Sequence, residues 1–552
     1  MDSVNASVYE SPERPRSLES INRPMMEESE LPEKGILSDR DDSCPSSPSS
    51  IVPNLTRLDS EAHVVAFTAD DKDHPFNWPV WKKLYVMNVI IVTVMNSTMG
   101  SSLASNIGTY IAKEWNITNE NLLILPTSMY LVGYVLGPLL WGPLSETYGR
   151  KPITLGAFWM FLLFMMASAL APNFAALVIF RLLCGIGAAC AITVSGGICA
   201  DLFQGHQARG RAMAFFMGVT TFGPTIGPVV SGYISPISWR WSFWVGLIFA
   251  GVTAALLFTI SESYVPIILK QRAKRLRKET GNPAWRAPME LEEQNISHII
   301  TVVLTRPVRM FCTEAIIFFS CIYLSFAYAI FYMFFQAFPI IYQGVYGFNA
   351  GEEGLAFLPI GIGACLACVI YIIYDGILRR AQAQNKAWVR KEESRRLPLA
   401  CFGGPFIVVA AFWIGWTARA DIHWICPVIA GIPFGIGFLL LFMSLLNYIV
   451  DAYKLFAASA MAAAGTCRSI WGCVLPFAAK SLYDTLGIAW ACSLIGFLAL
   501  LLAFIPFVFY WKGESLRARS KFCQYLVNKE REEEEKQRGK AERRALREAQ
   551  TA

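Results

Sequence analysis

Long apolar stretches, interrupted by short polar gaps, fill most of the chain. Each stretch is about 20 residues long, which is the length at which a helix crosses the apolar part of a bilayer. A helix on the surface of a soluble core would show a polar face along its length, and these stretches have none. The pattern predicts an all-α integral membrane protein with twelve transmembrane helices, here called spans 1 to 12. Their expected bounds are 84–106, 122–143, 152–171, 175–199, 212–234, 241–261, 314–340, 354–374, 398–417, 424–449, 455–479 and 487–511.

The polar gaps between the spans differ in charge. Gaps after even-numbered spans carry most of the lysines and arginines, as does the stretch after span 12, whereas gaps after odd-numbered spans carry isolated cations such as Lys113 and Arg240. Lysine and arginine collect on the cytoplasmic side of membranes. The pattern therefore predicts that the basic gaps and both termini are cytoplasmic. It places Asn116, in the acceptor sequence NIT, in an outside loop where it is a candidate for N-glycosylation.

Composition agrees with a membrane protein and argues against other classes. Of the 552 residues, 54% are hydrophobic and 16% are charged, against about 25% charged in soluble chains. Among the fourteen cysteines, Cys365 and Cys368 form a CxxC, but it lies in an apolar run and no second pair occurs at zinc spacing. None of the five histidines lies in the middle of a span, so we expect no metal and no other cofactor. No GxxxxGK[ST] loop and no nucleophile–base pair stands out. We therefore expect that the protein is not an enzyme and does not bind nucleic acid.

The longest gap divides the spans into two sets of six. We expect a disordered cytoplasmic tail at 1–80 that is rich in Ser, Pro, Glu and Asp, and a charged cytoplasmic tail at 512–552. Between them lie an N-terminal half at 81–262, a cytoplasmic central loop at 263–311 and a C-terminal half at 312–511. Spans 2 and 8 end with the same pattern, in which an acidic residue is followed by cations four and five positions later. This is expected if the two halves are parallel repeats. These residues are Glu146, Arg150 and Lys151 in the first half and Asp375, Arg379 and Arg380 in the second.

The stretch GPLSETYGRK resembles the signature loop between spans 2 and 3 of the major facilitator superfamily. The resemblance implies the fold of that family, with two six-helix halves, and a conformational latch that holds one state of alternating access. In that latch the carboxylate lies near the positive end of a neighbouring helix and the two cations pair with cytoplasmic carboxylates. An anchor that only sets topology would explain the cations but not the glycines and the acid. The motif residues are Gly142, Leu144, Glu146 (in place of the usual Asp), Gly149, Arg150 and Lys151.

Span 5 contains a row of glycines and prolines in its outer half. Glycines let helices approach closely, and a proline frees a carbonyl and bends the helix axis. The row is similar to the antiporter signature of drug-exporting facilitators, although the first spacing departs from it. Ordinary packing of small residues is the alternative. The residues concerned are Gly218, Gly223, Pro224, Gly227 and Pro228.

Charged residues inside the spans are candidates for proton transfer or for the cavity. Arg181 matches the arginine of the family's span 4 motif, which implies a part in proton transfer, with snorkelling to the outer interface as the alternative. Arg468 lies nearer the middle of the membrane, where snorkelling cannot easily reach water. Proton antiport commonly uses a carboxylate whose pKa is raised by burial, yet no Asp or Glu lies in the middle of a span. Glu314, in the first turn of span 7, is the preferred proton candidate.

Several residues are candidates for the substrate cavity. Five residues of span 7 recur at helical spacing and form one mostly aromatic face, which suits flat lipophilic ligands, although helix packing or lipid contact explains the face equally well. In the facilitator fold, spans 1, 4, 7 and 10 line the cavity, which adds polar residues of spans 1 and 10. The candidates are Tyr328, Phe331, Tyr332, Phe335 and Gln336, together with Asn96, Thr98 and Asn447.

Further stretches in both halves carry a narrower resemblance, among them NWPVWKK before span 1, SESYVPIILKQRAKRLRKETG after span 6, NYIVDAY in span 10 and RARSKF after span 12. From about Phe76 to Phe522 the chain resembles the fungal twelve-span drug:proton antiporters, in the subgroup of polyamine, cycloheximide and toxin exporters. The resemblance implies a monomeric, proton-coupled exporter of lipophilic small molecules in the plasma membrane, or alternatively in the vacuolar membrane. A polyamine exporter is a lower-ranked alternative, because polycations need cavity carboxylates. An uptake symporter is disfavoured by the span 5 signature, and a non-transporting sensor by the absence of a folded cytoplasmic domain in the expected organisation.

Overall fold

The structure is a computed structural model that describes residues 63–68, 71–203, 206–291, 296–453 and 456–526, with scattered positions up to 539. The stretch before residue 63 and most of the stretch after 526 lie outside the described residues. The predictions made for the two tails therefore concern segments that the structure describes only in part. In the first tail it describes 63–68 and 71–80, which include the strand His63–Val64 and the turn Pro75–Asn77, and in the second it describes the residues up to 526 and scattered positions beyond.

The N-terminal half contains six membrane-crossing helices. Span 5 is interrupted, because one helix ends at Thr220 and the next begins at Phe222. Pro224 lacks the N–H that would bond to the Thr220 carbonyl in a continuous helix, and the Thr98 hydroxyl of span 1 lies 3.3 Å from that carbonyl oxygen. The helices are Val80–Ser102, Leu125–Tyr148, Arg150–Ala169, Phe174–Leu202, His206–Thr220 with Phe222–Ile234, and Trp239–Thr259.

The C-terminal half repeats this arrangement. Spans 8 and 10 each begin with a short helix, and spans 11 and 12 form one 63-residue element that is divided at Gly487, whose φ is 71°. The helices are Ala315–Phe338, Ala350–Leu355 with Leu358–Ala383, Glu392–Thr417, Ile425–Ile429 with Gly431–Tyr453, and Ala457–Arg519.

Shorter elements connect the spans. A two-stranded parallel sheet pairs His63–Val64 with Trp285–Arg286, so the segment before span 1 is attached to the central loop. The short helices are Gly108–Trp115, Val265–Thr280, Pro288–Leu291 and Ile296–Thr313, with 3-10 turns at Pro75–Asn77, Glu120–Ile124 and Ala387–Arg390 and a π-helical turn at Pro339–Gln343.

The prediction of an all-α membrane fold is confirmed. Eleven helical segments of the described chain are long and apolar enough to cross a membrane, and the division at Gly487 makes the last of them two spans. The described residues therefore contain twelve helical segments able to cross a membrane. Span 1 begins and span 12 ends on the same face of the bundle, here called the terminal face. The opposite side is called the far face.

The two halves are in close contact toward the far face. Asn106, just after span 1, donates a hydrogen bond to the Ala350 carbonyl at 3.2 Å, and Ser128 of span 2 donates one to the Cys473 carbonyl at 3.1 Å. A Cβ on Gly354 would lie 2.6 Å from the Pro228 carbonyl oxygen, so spans 5 and 8 touch backbone to backbone. The halves thus meet closely on the far side of the membrane.

Candidate functional site

The loop between spans 2 and 3 is fixed by a carboxylate from span 6. Gly149 has a φ of 106°, a conformation that a residue with a Cβ rarely adopts, and it allows span 3 to begin at once. The carboxylate of Glu262 accepts hydrogen bonds from the backbone N–H groups of Arg150 and Lys151, each at 3.0 Å. These N–H groups open span 3, where the positive end of the helix dipole favours an anion.

The side chains of the loop cations stay within the N-terminal half. The Arg150 guanidinium donates to the Ser145 hydroxyl at 2.7 Å and lies 3.5 Å from the carboxylate of Asp201, at the end of span 4. Lys151 donates to the Phe258 carbonyl at 3.0 Å. The structure differs here from the sequence prediction for Glu146, which is exposed and pairs with no described residue. In this conformation Glu262 is the carboxylate at the helix N-terminus.

The equivalent group of the C-terminal half reaches across to the other half. Asp375 pairs with Arg379 one turn later at 3.2 Å, and with Arg211 of span 5 at 3.1 Å. Arg380 is exposed. Sequence reasoning placed Arg211 only among the topology-setting cations, because a partner 164 positions away leaves no local signal.

The glycines of span 5 mark close helix crossings. A Cβ on Gly223 would lie 2.8 Å from the Met95 carbonyl oxygen, and one on Gly227 would lie 2.8 Å from the Ser102 Cβ. Both glycines therefore face span 1. Gly218 instead faces Cys368 of span 8, and the Pro228 carbonyl faces Gly354. The motif residues thus lie between a helix of their own half and a helix of the other half.

Arg181 is fully buried inside the N-terminal half. It donates hydrogen bonds to the carbonyls of Pro126 at 3.0 Å and Gly100 at 2.8 Å, and its guanidinium lies over the Tyr130 ring at 4.4 Å. The side chain does not reach the outer interface, so snorkelling is excluded. It connects spans 1, 2 and 4 through backbone carbonyls rather than through a carboxylate.

Arg468 lies between aromatic rings of spans 7 and 10. Its guanidinium carbon is 5.5 Å from the centroid of Tyr328 and 5.9 Å from that of Phe442. The Nε atom is buried and has no hydrogen-bond partner in the described part of the chain. The side chain as a whole is half-buried, so it faces accessible space rather than the closed core.

The aromatic face of span 7 is divided between packing and accessible space. Phe331 and Phe335 are each 2% exposed, and they contact Phe438 at 5.7 Å and Phe357 at 5.2 Å between ring centroids. These two residues therefore pack helices together. Tyr332 is buried and its hydroxyl lies 2.8 Å from that of Ser101, across the two halves. Tyr328 and Gln336 are half-buried and remain the accessible members of the face.

The polar cavity candidates of spans 1 and 10 lie in different places. Asn96 is buried and donates to the Thr253 hydroxyl of span 6 at 2.6 Å, so it faces a helix of its own half. Thr98 faces span 5, as described above. Asn447 lines a small void near the terminal face together with Tyr371 and Asp375.

Three carboxyl groups of the described C-terminal half are buried. Glu393, at the start of span 9, lies 2.7 Å from the Arg517 guanidinium, and the other two lie at opposite ends of the half. Glu314, next to the terminal face, is 4% exposed and accepts a hydrogen bond from the Tyr453 hydroxyl at 3.0 Å. Glu353, next to the far face, is fully buried and accepts a hydrogen bond from Gln343. Its Oε1 atom has no hydrogen-bond partner among the described residues. Sequence reasoning did not separate Glu353 from Glu352, which is exposed and caps its helix through Asn349.

Other predicted sites occupy the surface. Asn116 is exposed and ends the helix Gly108–Trp115 with a left-handed φ of 52°, a position that suits asparagine. No group of three or more metal-ligating side chains occurs in the described part of the chain.

Comparison with known proteins identifies the family. The sequence profile described as Major Facilitator Superfamily matches residues 89–476. Over 504 residues the chain is 33% identical to efflux pump FUBT of Fusarium oxysporum, covering 87% of this chain and 84% of the relative. It is 35% identical to the citrinin biosynthesis cluster MFS transporter mrr1 of Monascus ruber, covering 82% and 91%. It is 33% identical to polyamine transporter 3 of Saccharomyces cerevisiae, covering 85% and 75%.

A solved structure shares the fold. The structure is similar to the partially occluded inward open conformation of the xylose transporter XylE from E. coli, with a TM-score of 0.55 over 78% of this chain and 98% of that one. At 17% identity the likeness concerns the fold alone. Because the family profile matches well over half of the chain and relatives that are 33–35% identical span most of it, the chain belongs to the Major Facilitator Superfamily, whose members move small molecules across membranes.

Proposed function

We propose that this protein exports lipophilic small molecules in exchange for protons, by alternating access of a central site to the two sides of the membrane. The observation that supports export most directly is the packing of span 5, whose glycine row touches span 1 and span 8 at van der Waals distance. This row resembles the antiporter signature. Relatives over 30% identical are named efflux pump and biosynthesis cluster transporter.

The contacts between the halves support a rocking mechanism for the segments 81–262 and 312–511. Toward the far face the halves meet through backbone contacts of spans 5 and 8 and through Asn106. Toward the terminal face the described contacts include an ion pair between half-exposed and largely buried side chains, Arg211 and Asp375. Opening the far face would separate spans 5 and 8 and break the hydrogen bond of Asn106. The carboxylate of Asp375, through its pair with Arg211, would hold the state in which the terminal face is closed.

For the proton we propose Glu314 and Glu353, the buried carboxyl groups of the C-terminal half that form no ion pair in the described part of the chain. Glu353 lies behind the far-face contact between the halves, because its neighbour Gly354 touches Pro228. The exposed Gln343 covers it, so a movement of this side chain would admit water. Glu314 occupies the corresponding place near the terminal face. One carboxyl near each face suits a carrier that takes up a proton on one side and releases it on the other.

We propose a monomer in the plasma membrane with the terminal face in the cytoplasm, as the distribution of lysine and arginine suggests. The polyamine alternative has support in the name of one relative. Against it, the spans hold two arginines and no carboxylate away from their ends, which is an unfavourable environment for a polycation.

Transport into inside-out vesicles tests the proposal. Vesicles that contain the protein, with an acidic lumen, should accumulate members of a panel of fluorescent lipophilic compounds, and an uncoupler should abolish the accumulation. Vesicles without the protein are the control. Accumulation that does not depend on the proton gradient would contradict coupling, and accumulation of none of the panel together with uptake of polyamines would favour the alternative.

A further inference from the structure

The charged side chains between the ends of the predicted spans are all cationic. Between the ends of the twelve predicted spans the sequence contains two cationic residues, Arg181 and Arg468, and no aspartate or glutamate. A charged side chain at this depth normally finds an opposite charge or another polar partner. The interior of this protein therefore has an excess of positive charge that its own carboxylates do not neutralise.

The two arginines differ in how their charge is accommodated. Arg181 is fully buried, and its Nε and Nη2 atoms donate to the carbonyls of Pro126 and Gly100, while its Nη1 atom has no hydrogen-bond partner among the described residues. Arg468 has no ion pair and no hydrogen bond with a described residue, and its Nε atom is buried without an acceptor. Since a buried donor without an acceptor is costly, an acceptor that bound to the half-buried Arg468 side chain from outside the chain would lower the free energy of this site.

The surroundings of Arg468 are apolar and aromatic. The rings of Tyr328 and Phe442 flank the guanidinium and lie 6.4 Å from each other. Phe442 continues into Phe438, at 4.5 Å between centroids. The Tyr328 hydroxyl donates toward that of Tyr332 at 3.3 Å. Of these rings only Tyr328 is half-buried, whereas Phe442, Phe438 and Tyr332 are buried.

We propose that Arg468 is the anion-binding residue of the substrate site, and that the substrates are lipophilic organic anions, above all carboxylates attached to a flat apolar body. This inference rests on the proposed export function and specifies its substrate class. The guanidinium fork matches a carboxylate and binds it through two parallel hydrogen bonds. The half-buried ring of Tyr328 offers a face for the apolar body, and the buried rings of Phe442 and Phe438 behind it keep the polarity around the pair low, which strengthens the attraction.

A matched set of three probes tests the charge preference. Pyrenebutyrate, pyrenebutanol and pyrenebutylamine share one ring system and a similar chain, and at pH 7 they are anionic, neutral and cationic. Binding to the purified full-length protein in detergent is followed by pyrene fluorescence. We expect the wild-type protein to bind the anion about 10- to 100-fold more tightly than the alcohol, as for a hydrogen-bonded charge pair, and the amine least tightly.

Variants assign the preference to one residue. Arg468→Gln should bind the three probes with similar affinity. Arg468→Lys should still bind the anion most tightly and the amine least tightly, but with smaller differences in affinity, because lysine keeps the positive charge and lacks the two parallel donors of the guanidinium. Arg419→Gln, which removes an exposed cation on the far-face loop, should behave as wild type. Thermal unfolding shows whether each variant is folded. If Arg468→Gln does not fold, the affinities of Arg468→Lys for the three probes decide whether the preference depends on this residue.

The outcomes separate this inference from the export function. A preference for the amine, equal affinities in the wild-type protein, no binding of any probe, or an unchanged preference in Arg468→Gln would overturn the inference. Proton-driven accumulation of the alcohol and the amine but not of the anion in inside-out vesicles would overturn it while export stands. Anion binding that depends on Arg468, with no proton-driven transport, would support the inference and contradict the export proposal.

Discussion

Arg211 and Asp375 form an ion pair of 3.1 Å that joins the two six-helix halves at the terminal face. The same carboxylate pairs with Arg379 of its own helix at 3.2 Å. The Asp375 side chain is 14% exposed, whereas the two arginines are 48% and 46% exposed. An exposed ion pair adds little to folding stability, but a pair between the halves breaks when the terminal face opens. Its effect therefore falls on the equilibrium between transport states.

The first prediction concerns this pair. Arg211→Gln should change the export rate by roughly two- to fivefold, since an exposed pair is worth about 0.5–1 kcal/mol. Arg379→Gln is the matched control, because it removes a pair on the same carboxylate that does not cross the halves. Asp375→Asn should resemble Arg211→Gln. Export by vesicles, normalised to the amount of protein, measures all three, and an effect of Arg379→Gln equal to that of Arg211→Gln would count against a role of the crossing pair.

The sequence predicted what depends on local pattern. Apolar length predicts the twelve spans, and the shared spacing of an acid and two cations at the ends of spans 2 and 8 predicts that the two halves repeat. Contacts across the fold have no such signal. Glu262 bonds to the Arg150 N–H from 112 positions away, and the sequence analysis assigned the carboxylate at the helix N-terminus to Glu146 instead.

The sequence also does not predict which of two adjacent residues is buried and which is exposed. Glu352 and Glu353 are adjacent acids at the start of span 8, and only the packing of the helix decides that one is exposed and the other fully buried. The aromatic face of span 7 is a similar case. Its spacing predicts one face, but the facing rings of spans 8 and 10 determine that Phe331 and Phe335 pack and that Tyr328 stays accessible.

The second prediction concerns the crossing of spans 1 and 5. Gly223→Ala should destabilise the protein by about 1–3 kcal/mol, because the new methyl group would overlap the backbone of span 1 and overpacking costs that much. A Cβ there would lie 2.8 Å from the Met95 carbonyl oxygen and 3.0 Å from the Met99 nitrogen. The measurement is the thermal unfolding temperature in detergent. Gly251→Ala in span 6, where nothing lies within 4 Å, should leave that temperature unchanged or raise it, and equal effects of the two substitutions would contradict the close crossing.

The third prediction compares the adjacent acids of span 8. Glu353→Gln should abolish accumulation driven by the proton gradient while leaving downhill movement of substrate, because glutamine fills the same space and cannot exchange a proton. Glu352→Gln should transport as wild type, since glutamine also serves in a capping box and the residue is exposed. Gradient-driven and downhill fluxes in the same vesicles make the distinction. Normal gradient-driven accumulation by Glu353→Gln would exclude this residue as the carrier and leave Glu314 to be tested in the same way.

The last prediction concerns a contact on the far face that depends on pH. Glu114 accepts hydrogen bonds from Arg240 at 3.0 Å and from the Trp239 indole at 2.5 Å, which attaches the helix Gly108–Trp115 to the start of span 6. The hydrogen bond from Arg240 lowers the pKa of Glu114 below its ordinary 4.5, against the raising effect of burial and with a smaller contribution from Trp239. A carboxyl whose pKa is lowered by folding stabilises the protein above its ordinary pKa, and this stabilisation is lost as pH falls through the lowered value.

Glu114→Gln should therefore unfold at a slightly lower temperature than wild type at pH 6 and 7, and the difference should shrink below about pH 4.5, where Glu114 of the unfolded chain becomes protonated. Because Glu114 and Arg240 are 37% and 33% exposed, solvent screens the pair and the effect should be about 0.5 kcal/mol. Asp484→Asn, at an exposed acid of span 11, is the control and should match wild type throughout. The difference in unfolding temperature between Glu114→Gln and wild type could instead stay constant down to pH 3. This result would show that the ion pair with Arg240 is not its cause, and that the indole hydrogen bond alone holds the helix in place.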